Sequence, residues 1–242
     1  MRFSCLFLPT GWLFLLSLLI PAARAQESLG SWNILNISAL VTDRVGVFGE
    51  AQIRSLRFYD HFHYYEYKGG ISWKVNSQLS LLGGAGRYDT YSAGGDFRSP
   101  RLTKEYRTWL QAGLRNGMGR WKVDHRYRAE QRFTNNGYRN RFRYRIGVTW
   151  ELPFQRNGKR PFYVNASNET FFTNRPPYFE RNRLFAGMGW EMSELLTIQC
   201  GYLHQFDYRL TDEIGRDFLQ VGAYIDFGRL DSKTLPVIGD AD

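Results

Sequence analysis

The feature that most constrains the fold is a two-residue alternation of side-chain character along residues 121–133. Apolar and aromatic residues predominate at one set of positions, and every residue between them is charged. The first set is Trp121, Val123, His125, Tyr127, Ala129, Gln131 and Phe133, and the charged set is Lys122, Asp124, Arg126, Arg128, Glu130 and Arg132. Successive side chains of a β-strand point to opposite faces, whereas a helical face recurs every three or four residues. The segment is therefore predicted to be an amphipathic strand.

The same alternation continues in residues 138–152. One face carries Tyr138, Phe142, Tyr144, Ile146, Val148, Trp150 and Leu152, and the other carries Arg139, Arg141, Arg143, Arg145 and Glu151. A soluble β-sandwich would bury the aromatic face in a core. A membrane barrel would turn that face to lipid and the charged face to its lumen. Features of the rest of the chain distinguish between these two architectures.

The N-terminus has the features of a secretory signal. Arg2 provides the positive start, residues 6–20 form an apolar run, and Ala23-Arg24-Ala25 is a small-x-small cleavage site. We expect cleavage before Gln26, with an uncleaved membrane anchor as the alternative. The predicted organisation is a signal peptide at 1–25, a barrel at 26–227 and a tail at 228–242. Export predicts a location in the bacterial outer membrane.

Composition supports the membrane barrel. Aromatic residues make up 17% of the chain, as expected where aromatic girdles flank a lipid-facing band. After the leader, no run approaches the roughly 20 apolar residues that a membrane helix needs. The net charge of +9 comes from basic residues interleaved singly within strands, so we predict no nucleic-acid partner. Cys200 is the only cysteine beyond the leader, which excludes an intramolecular disulfide and a cysteine metal site. We predict no metal and no cofactor.

The strand pattern extends over almost the whole chain after the leader. The predicted strands are 31–41, 44–58, 62–75, 78–91, 102–116, 120–133, 138–152, 161–173, 180–192, 195–209 and 217–227. Short turns and longer polar loops are expected to alternate between them, as in barrels with periplasmic turns and external loops. The predicted fold is an all-β, closed, antiparallel, up-and-down transmembrane β-barrel. These eleven segments make an odd number, whereas bacterial barrels normally have an even number of strands. About ten or twelve strands are therefore expected.

The last strand carries a short pattern of its own. Gln220, Gly222, Ile225 and Phe227 fit the order polar-x-Gly-x-x-apolar-x-aromatic. This order resembles the terminal signal that the barrel assembly machinery of the outer membrane reads. We therefore predict that machinery and the outer-membrane lipids as partners, although a tail follows the aromatic residue here.

Several motifs together resemble one known family. They are Trp32 at the first strand, Glu105-Tyr106-Arg107-Thr108-Trp109-Leu110-Gln111, His125-Arg126-Tyr127-Arg128-Ala129-Glu130-Gln131-Arg132-Phe133, Arg139-Asn140-Arg141-Phe142-Arg143-Tyr144-Arg145, Asn168-Glu169-Thr170-Phe171-Phe172 and Arg181-Asn182-Arg183. The chain resembles the family named domain of unknown function 2490, whose members are expected to be outer-membrane β-barrels of Gram-negative bacteria. The resemblance implies the fold and the location and gives no activity.

The charged face is the candidate functional site. The lumen and solute-path candidates are Lys122, Arg126, Arg128, Arg132, Arg139, Arg141, Arg143, Arg145, Arg107, Glu105, Glu130 and Glu169. Like charges that lie opposite each other in a sheet are destabilising, so carboxylates must neutralise the arginines. Either an Arg–Glu network fills the lumen, or excess arginines line a narrow path for anions.

Three functions follow in order of preference. The first is a porin-like channel for small solutes, anions among them. The second is a non-conducting structural barrel of the envelope with a plugged lumen. The third is a lipid-modifying enzyme, because His125 and His204 lie on the expected lipid face, although no serine motif accompanies them. We assign no catalytic residue.

Overall fold

Eleven β-strands close into one barrel in the part of the chain that the structure describes. The structure is a computed structural model. It describes residues 29–94, 96–98, 100–156, 158–210 and 213–228. The predicted signal peptide and all but the first residue of the predicted tail lie outside these residues.

Each predicted strand corresponds to one observed strand. The strands are β1 (Gly30–Leu40), β2 (Val45–Arg57), β3 (Asp60–Lys74), β4 (Leu79–Tyr91), β5 (Arg101–Met118), β6 (Trp121–Thr134), β7 (Gly137–Glu151), β8 (Phe162–Thr173), β9 (Phe179–Glu191), β10 (Leu196–Tyr208) and β11 (Glu213–Asp226). Among the described residues, no helix has the length and apolar character needed to cross a membrane.

The barrel closes by pairing its first strand with its last. Every other neighbouring pair is antiparallel and sequential, whereas β1 runs parallel to β11 from Gly30↔Phe218 to Ser38↔Asp226. The predicted closed all-β barrel is confirmed, but the expected count of ten or twelve is replaced by eleven strands in the described chain. An odd number of up-and-down strands makes the first and last strands point the same way. Their parallel pairing is the geometric consequence.

The two ends of the barrel do not differ in connection length as the sequence suggested. We call the end formed by connections 41–44, 75–78, 119–120, 152–161 and 192–195 the turn end, and the end formed by 58–59, 92–100, 135–136, 174–178 and 209–212 the loop end. The connections 58–59 and 135–136 were expected to be loops, yet each has only two residues. Connection 152–161 spans ten residues, and residues 153–160 were expected to be a longer member of the turn series.

The outer face has an apolar middle and an aromatic rim at each end. The middle carries Leu35, Ile37, Val47, Ile71, Leu81, Leu110, Ile146, Leu184 and Met188. The rim at the turn end carries Trp73, Trp121, Trp150, Phe162 and Trp190, and the rim at the loop end carries Tyr106, Phe133, Tyr138, Phe172, Phe179 and Tyr208. Register partners in the rim at the turn end stack, as Trp121 does on Trp150 with ring centroids 5.7 Å apart. This distribution is the one that a membrane-spanning barrel presents to lipid.

Large aromatic side chains in the lumen lie directly over glycines of neighbouring strands. A Cβ atom added to Gly189 would lie 2.0 Å from the ring of Tyr163, and one added to Gly84 would lie 2.4 Å from the ring of Trp109. Both rings belong to buried side chains. Glycine at these positions therefore lets bulky side chains lie flat against the wall and fill the lumen.

The parallel closure can be tested by cross-linking. In a chain whose Cys200 is replaced by serine, we expect Leu35→Cys with Ala223→Cys to form a disulfide on mild oxidation, because these residues are register partners across β1 and β11. The control pair Leu35→Cys with Val221→Cys is offset by two residues and should remain reduced. A shift in gel mobility under non-reducing conditions reports the bond, and preferential bonding of the offset pair would contradict the register.

The contact of Tyr163 with Gly189 predicts a selective loss of stability. Gly189→Ala should lower the free energy of unfolding by about 1–3 kcal/mol, because the new methyl group overlaps the ring of the buried Tyr163. Gly49→Ala is the matched control, since its added Cβ has no atom within 4 Å. Urea unfolding in detergent measures both variants. Equal destabilisation of the two would show that the close approach is unimportant.

Candidate functional site

The lumen holds most of the charged residues that the sequence singled out. The structure buries Arg107, Arg126, Arg128, Arg132, Arg141, Arg143, Glu105, Glu130 and Glu169 inside the barrel and leaves Lys122, Arg139 and Arg145 half-buried. The alternation of β6 and β7 turns these side chains away from the apolar outer face. Their position in the lumen is a structural fact, whereas their role as a path for solutes remains a prediction.

The arginines of β6 and β7 lie opposite each other, and Glu130 separates their charges. Arg128 is the register partner of Arg143, and Glu130 is the partner of Arg141. The Glu130 carboxylate contacts Arg141 Nη2 at 2.6 Å and Arg143 Nη1 at 2.8 Å, with Arg128 Nη1 at 3.8 Å. One carboxylate thus holds three guanidinium groups, which removes the repulsion that the bare register would create.

A second carboxylate, Glu169 on β8, joins the same cluster. Its Oε1 accepts hydrogen bonds from Arg126 Nη2 at 2.5 Å and from Arg143 Nε at 2.9 Å. Arg126 lies on β6, Arg143 on β7 and Glu169 on β8. The contact between Glu169 and Arg126 therefore crosses β7. We call Glu130, Glu169 and their arginines on β6 and β7 the central network.

At the loop end, two carboxylates pair with three further arginines. Glu105 on β5 binds both Arg107, at 2.7 Å, and Arg132. Glu180 on β9 contacts Arg132 at 3.1 Å and Arg139 at 3.2 Å. Arg132 therefore links β5, β6 and β9 across the loop end of the lumen.

Sequence alternation could not reveal the role of Glu180. Successive side chains of a strand point to opposite faces, and the neighbouring Arg181 faces the lumen. Glu180 should therefore face outward. The pairing of β8 and β9 shifts between Phe171 and Phe172, whose partners are Arg181 and Phe179. Glu180 is the extra residue of this bulge, and a bulge can redirect a side chain to the other face.

A separate charged cluster lies on β2 and β3. Lys68 Nζ contacts Glu50 and Glu66 at 2.9 Å each, and Arg54 Nη2 contacts Glu66 at 3.1 Å. All four side chains are buried. Sequence analysis did not nominate Arg54 or Lys68 as candidates. The alternation of Glu50, Gln52 and Arg54 along β2 was the available signal.

An apolar cluster lies on another part of the lumen wall. Its buried residues are Trp32, Ile34, Phe185, Leu203, Phe218 and Tyr224 on β1, β9, β10 and β11. Arginines cover the boundary between the apolar and charged sides. The Arg54 guanidinium lies 3.4 Å from the Trp32 ring centroid, and that of Arg183 lies 4.8 Å from the centroids of both Trp32 and Phe171. These are cation–π distances.

Cations outnumber carboxylates in the buried part of the lumen. Among the described residues, nine buried side chains are cationic: Arg54, Lys68, Arg107, Arg126, Arg128, Arg132, Arg141, Arg143 and Arg183. Six buried carboxylates share the lumen with them: Glu50, Glu66, Glu105, Glu130, Glu169 and Asp207. A further buried carboxylate, Asp89, binds Tyr65 and Arg87 on the outer face. The lumen is therefore positive overall.

Buried side chains from several strands fill the middle of the lumen. A cavity of about 30 Å³, close to the volume of one water molecule, lies beside Arg145, Arg183, Gln199 and Gln220. Around it, the central network and the buried aromatic residues occupy the cross-section. Towards the turn end the packing loosens, and the ion pair of Lys122 with Glu151 at 2.6 Å is half-exposed.

The other nominated residues have separate positions. Gln220 and Gly222 are buried in the lumen, Ile225 is half-buried, and Phe227 is exposed just beyond β11. The two lipid-face histidines bind neighbouring polar groups. His125 Nδ1 lies 2.9 Å from the Tyr144 hydroxyl, and His204 Nδ1 lies 2.7 Å from Asp217. The role of Gln220, Gly222, Ile225 and Phe227 in assembly remains a prediction.

Solved barrels resemble this chain only distantly. A structure of the NanC porin is 9% identical, with 82% of this chain and 99% of that one covered and a TM-score of 0.49. LpxR from Salmonella typhimurium is 9% identical, with 74% and 83% covered and a TM-score of 0.46. An anion-selective porin from Comamonas acidovorans is 11% identical, with 75% and 57% covered and a TM-score of 0.37. No curated protein sequence matches the chain.

The family is identified at the level of sequence. The family described as Protein of unknown function (DUF2490) matches residues 29–215, a region that runs from the residue before β1 into β11. This match covers more than half of the chain. The protein therefore belongs to that family.

Proposed function

We propose that this chain is a β-barrel of the bacterial outer membrane, exported by its N-terminal leader. Strands of 11 to 18 residues provide the about 9–11 residues that a tilted strand needs to cross a bilayer. The apolar middle of the outer face lies between two aromatic rims, which suits the hydrocarbon and interfacial layers of a membrane. An outer face of this kind would be an aggregation hazard in water. Gln220, Gly222, Ile225 and Phe227 remain the proposed assembly signal.

We further propose that the barrel is non-conducting in its resting state and has a structural role in the envelope. The single observation that carries this proposal is the packed lumen. Arg128 and Arg143 have fully buried side chains, and the adjoining cavity has space for about one water molecule. Side chains fill barrels of about eight strands, whereas 16–18 strands leave a channel, so eleven strands allow a filled lumen.

The ion pairs explain how the closed lumen would be maintained. Glu169 reaches past β7 to Arg126, and Glu180 reaches from β9 to Arg132 on β6. Such contacts brace strands that share no backbone hydrogen bonds. In a dry interior each charge is costly to leave alone, so the partners hold each other in place.

The second candidate is a porin-like channel for small anions. The observation that favours it is the excess of buried cations, nine against six carboxylates among the described residues. Rings of arginine and lysine suit anions. Conduction would require the arginines of the central network to separate from Glu130 and Glu169 and to exchange them for a passing solute.

Planar-bilayer recording separates the two candidates. We expect the refolded, leaderless protein to insert without discrete conductance steps, because the packed side chains leave no continuous path. Heat-modifiable gel mobility must show that the protein is folded. The double variant Arg143→Ala and Phe171→Ala is the positive control, since it removes two buried side chains from the centre of the lumen. Anion-selective steps from the unmodified protein would contradict the closed lumen and favour the channel.

The bracing role of the central network predicts a large effect at Glu130. Glu130→Gln should lower the free energy of unfolding by about 3–5 kcal/mol, because Arg141 and Arg143 lose their shared buried counter-charge. Glu194→Gln, which removes an exposed pair with Lys159, is the matched control and should leave stability unchanged. Urea unfolding followed by tryptophan fluorescence measures both. A small effect at Glu130 would show that the network does not brace the barrel.

A further inference from the structure

We propose that the lumen cavity beside Arg183 binds one small inorganic anion of the size of chloride. This inference goes beyond the proposed structural function, because it concerns equilibrium binding at one site and needs no conduction. It rests on the unpartnered donors around the cavity, on the local balance of charge and on the cavity's size.

Arg183 is a buried cation that has no carboxylate within ion-pair distance among the described residues, because its register partner Glu169 binds Arg126 and Arg143 instead. Its side chain is 4% exposed, and its Nε donates a hydrogen bond to Gln205 Oε1 at 3.0 Å. Its Nη1 is buried and has no hydrogen-bond partner within the described chain. Contacts with the rings of Trp32 and Phe171 hold the guanidinium plane and leave its edge available for hydrogen bonds. A buried guanidinium in this state lacks an ion pair of its own.

Gln220 supplies a second donor at the same cavity. It is 2% exposed, and its Nε2 also has no hydrogen-bond partner among the described residues. Arg183 and Gln220 both line the cavity, although they lie on β9 and β11. Donors from separate strands therefore converge on one small space, as a site for an acceptor requires.

The carboxylates near the cavity are already engaged. Glu169 lines it but accepts hydrogen bonds from Arg126 and Arg143. Asp124 also lines it and is paired with Arg115 at 3.1 Å. The arginines that bind these groups offset their negative charge, so Arg183 retains a need for an anion.

The size of the cavity restricts the kind of anion. Its volume of about 30 Å³ matches one water molecule and therefore a monatomic halide, and it is too small for phosphate or a sugar acid. A water molecule would satisfy the donors but would leave the charge of Arg183 uncompensated. Chloride satisfies both requirements.

Bromide locates the site directly, because its anomalous scattering distinguishes it from water. Crystals of the folded barrel grown in bromide should give an anomalous peak within hydrogen-bond distance of Arg183 Nη1 and Gln220 Nε2. Absence of a peak in this cavity would overturn the proposal. A peak only at surface residues would mark an adventitious ion and would overturn it equally.

Thermal unfolding tests whether the anion binds in solution. At equal ionic strength, chloride should raise the unfolding midpoint by several degrees relative to gluconate, which is too large for the cavity, because a ligand of the folded state stabilises it. The difference should disappear in Arg183→Gln and persist in Arg132→Gln, whose arginine belongs to the loop-end pairs. Gln220→Leu is the second test variant should Arg183→Gln not fold, and it should reduce the difference. Equal midpoints in the two salts for the unmodified protein would overturn the proposal, whatever its conductance.

Discussion

The rest of the structure depends on the pairing of buried arginines with a smaller number of carboxylates. Closing eleven strands directs every second side chain into a narrow interior, and in this chain many of those side chains are charged. A charge taken out of water costs several kcal/mol unless a partner compensates it, so the lumen is stable only when carboxylates pair with most of its cations. Glu130, which contacts three arginines, shows that one carboxylate can compensate several buried cations.

The lumen has two sides with different chemistry, and planar cations join them. The side formed by β1, β9, β10 and β11 contains an apolar cluster in which Trp32 and Phe218 are in edge-to-face contact. The other side is the charged network. Guanidinium groups suit the boundary because they are weakly hydrated, stack on aromatic rings and still donate hydrogen bonds at their edges. Arg54 and Arg183 both use Trp32 in this way, which makes that tryptophan a shared support.

Part of this site could be predicted from local pattern, and part could not. The alternation in β6 and β7 was enough to place Arg126 and Arg143 on one face and Tyr127 and Tyr144 on the other. It could not show that Glu180 faces the lumen, because a bulge at Phe171 and Phe172 changes the parity. It also could not show whether the arginines leave a path, since free space depends on how side chains from distant strands pack together.

The sequence by itself determined that this chain forms amphipathic strands, approximately where each begins and ends, and which face of each is apolar. These properties follow from the two-residue period of a strand, which is local. Only the tertiary structure decided that all eleven segments join one closed barrel, that β1 pairs in parallel with β11, and which carboxylate pairs with which arginine. Closure and pairing depend on contacts between residues far apart in the chain, and the alternation is the same whichever strands become neighbours.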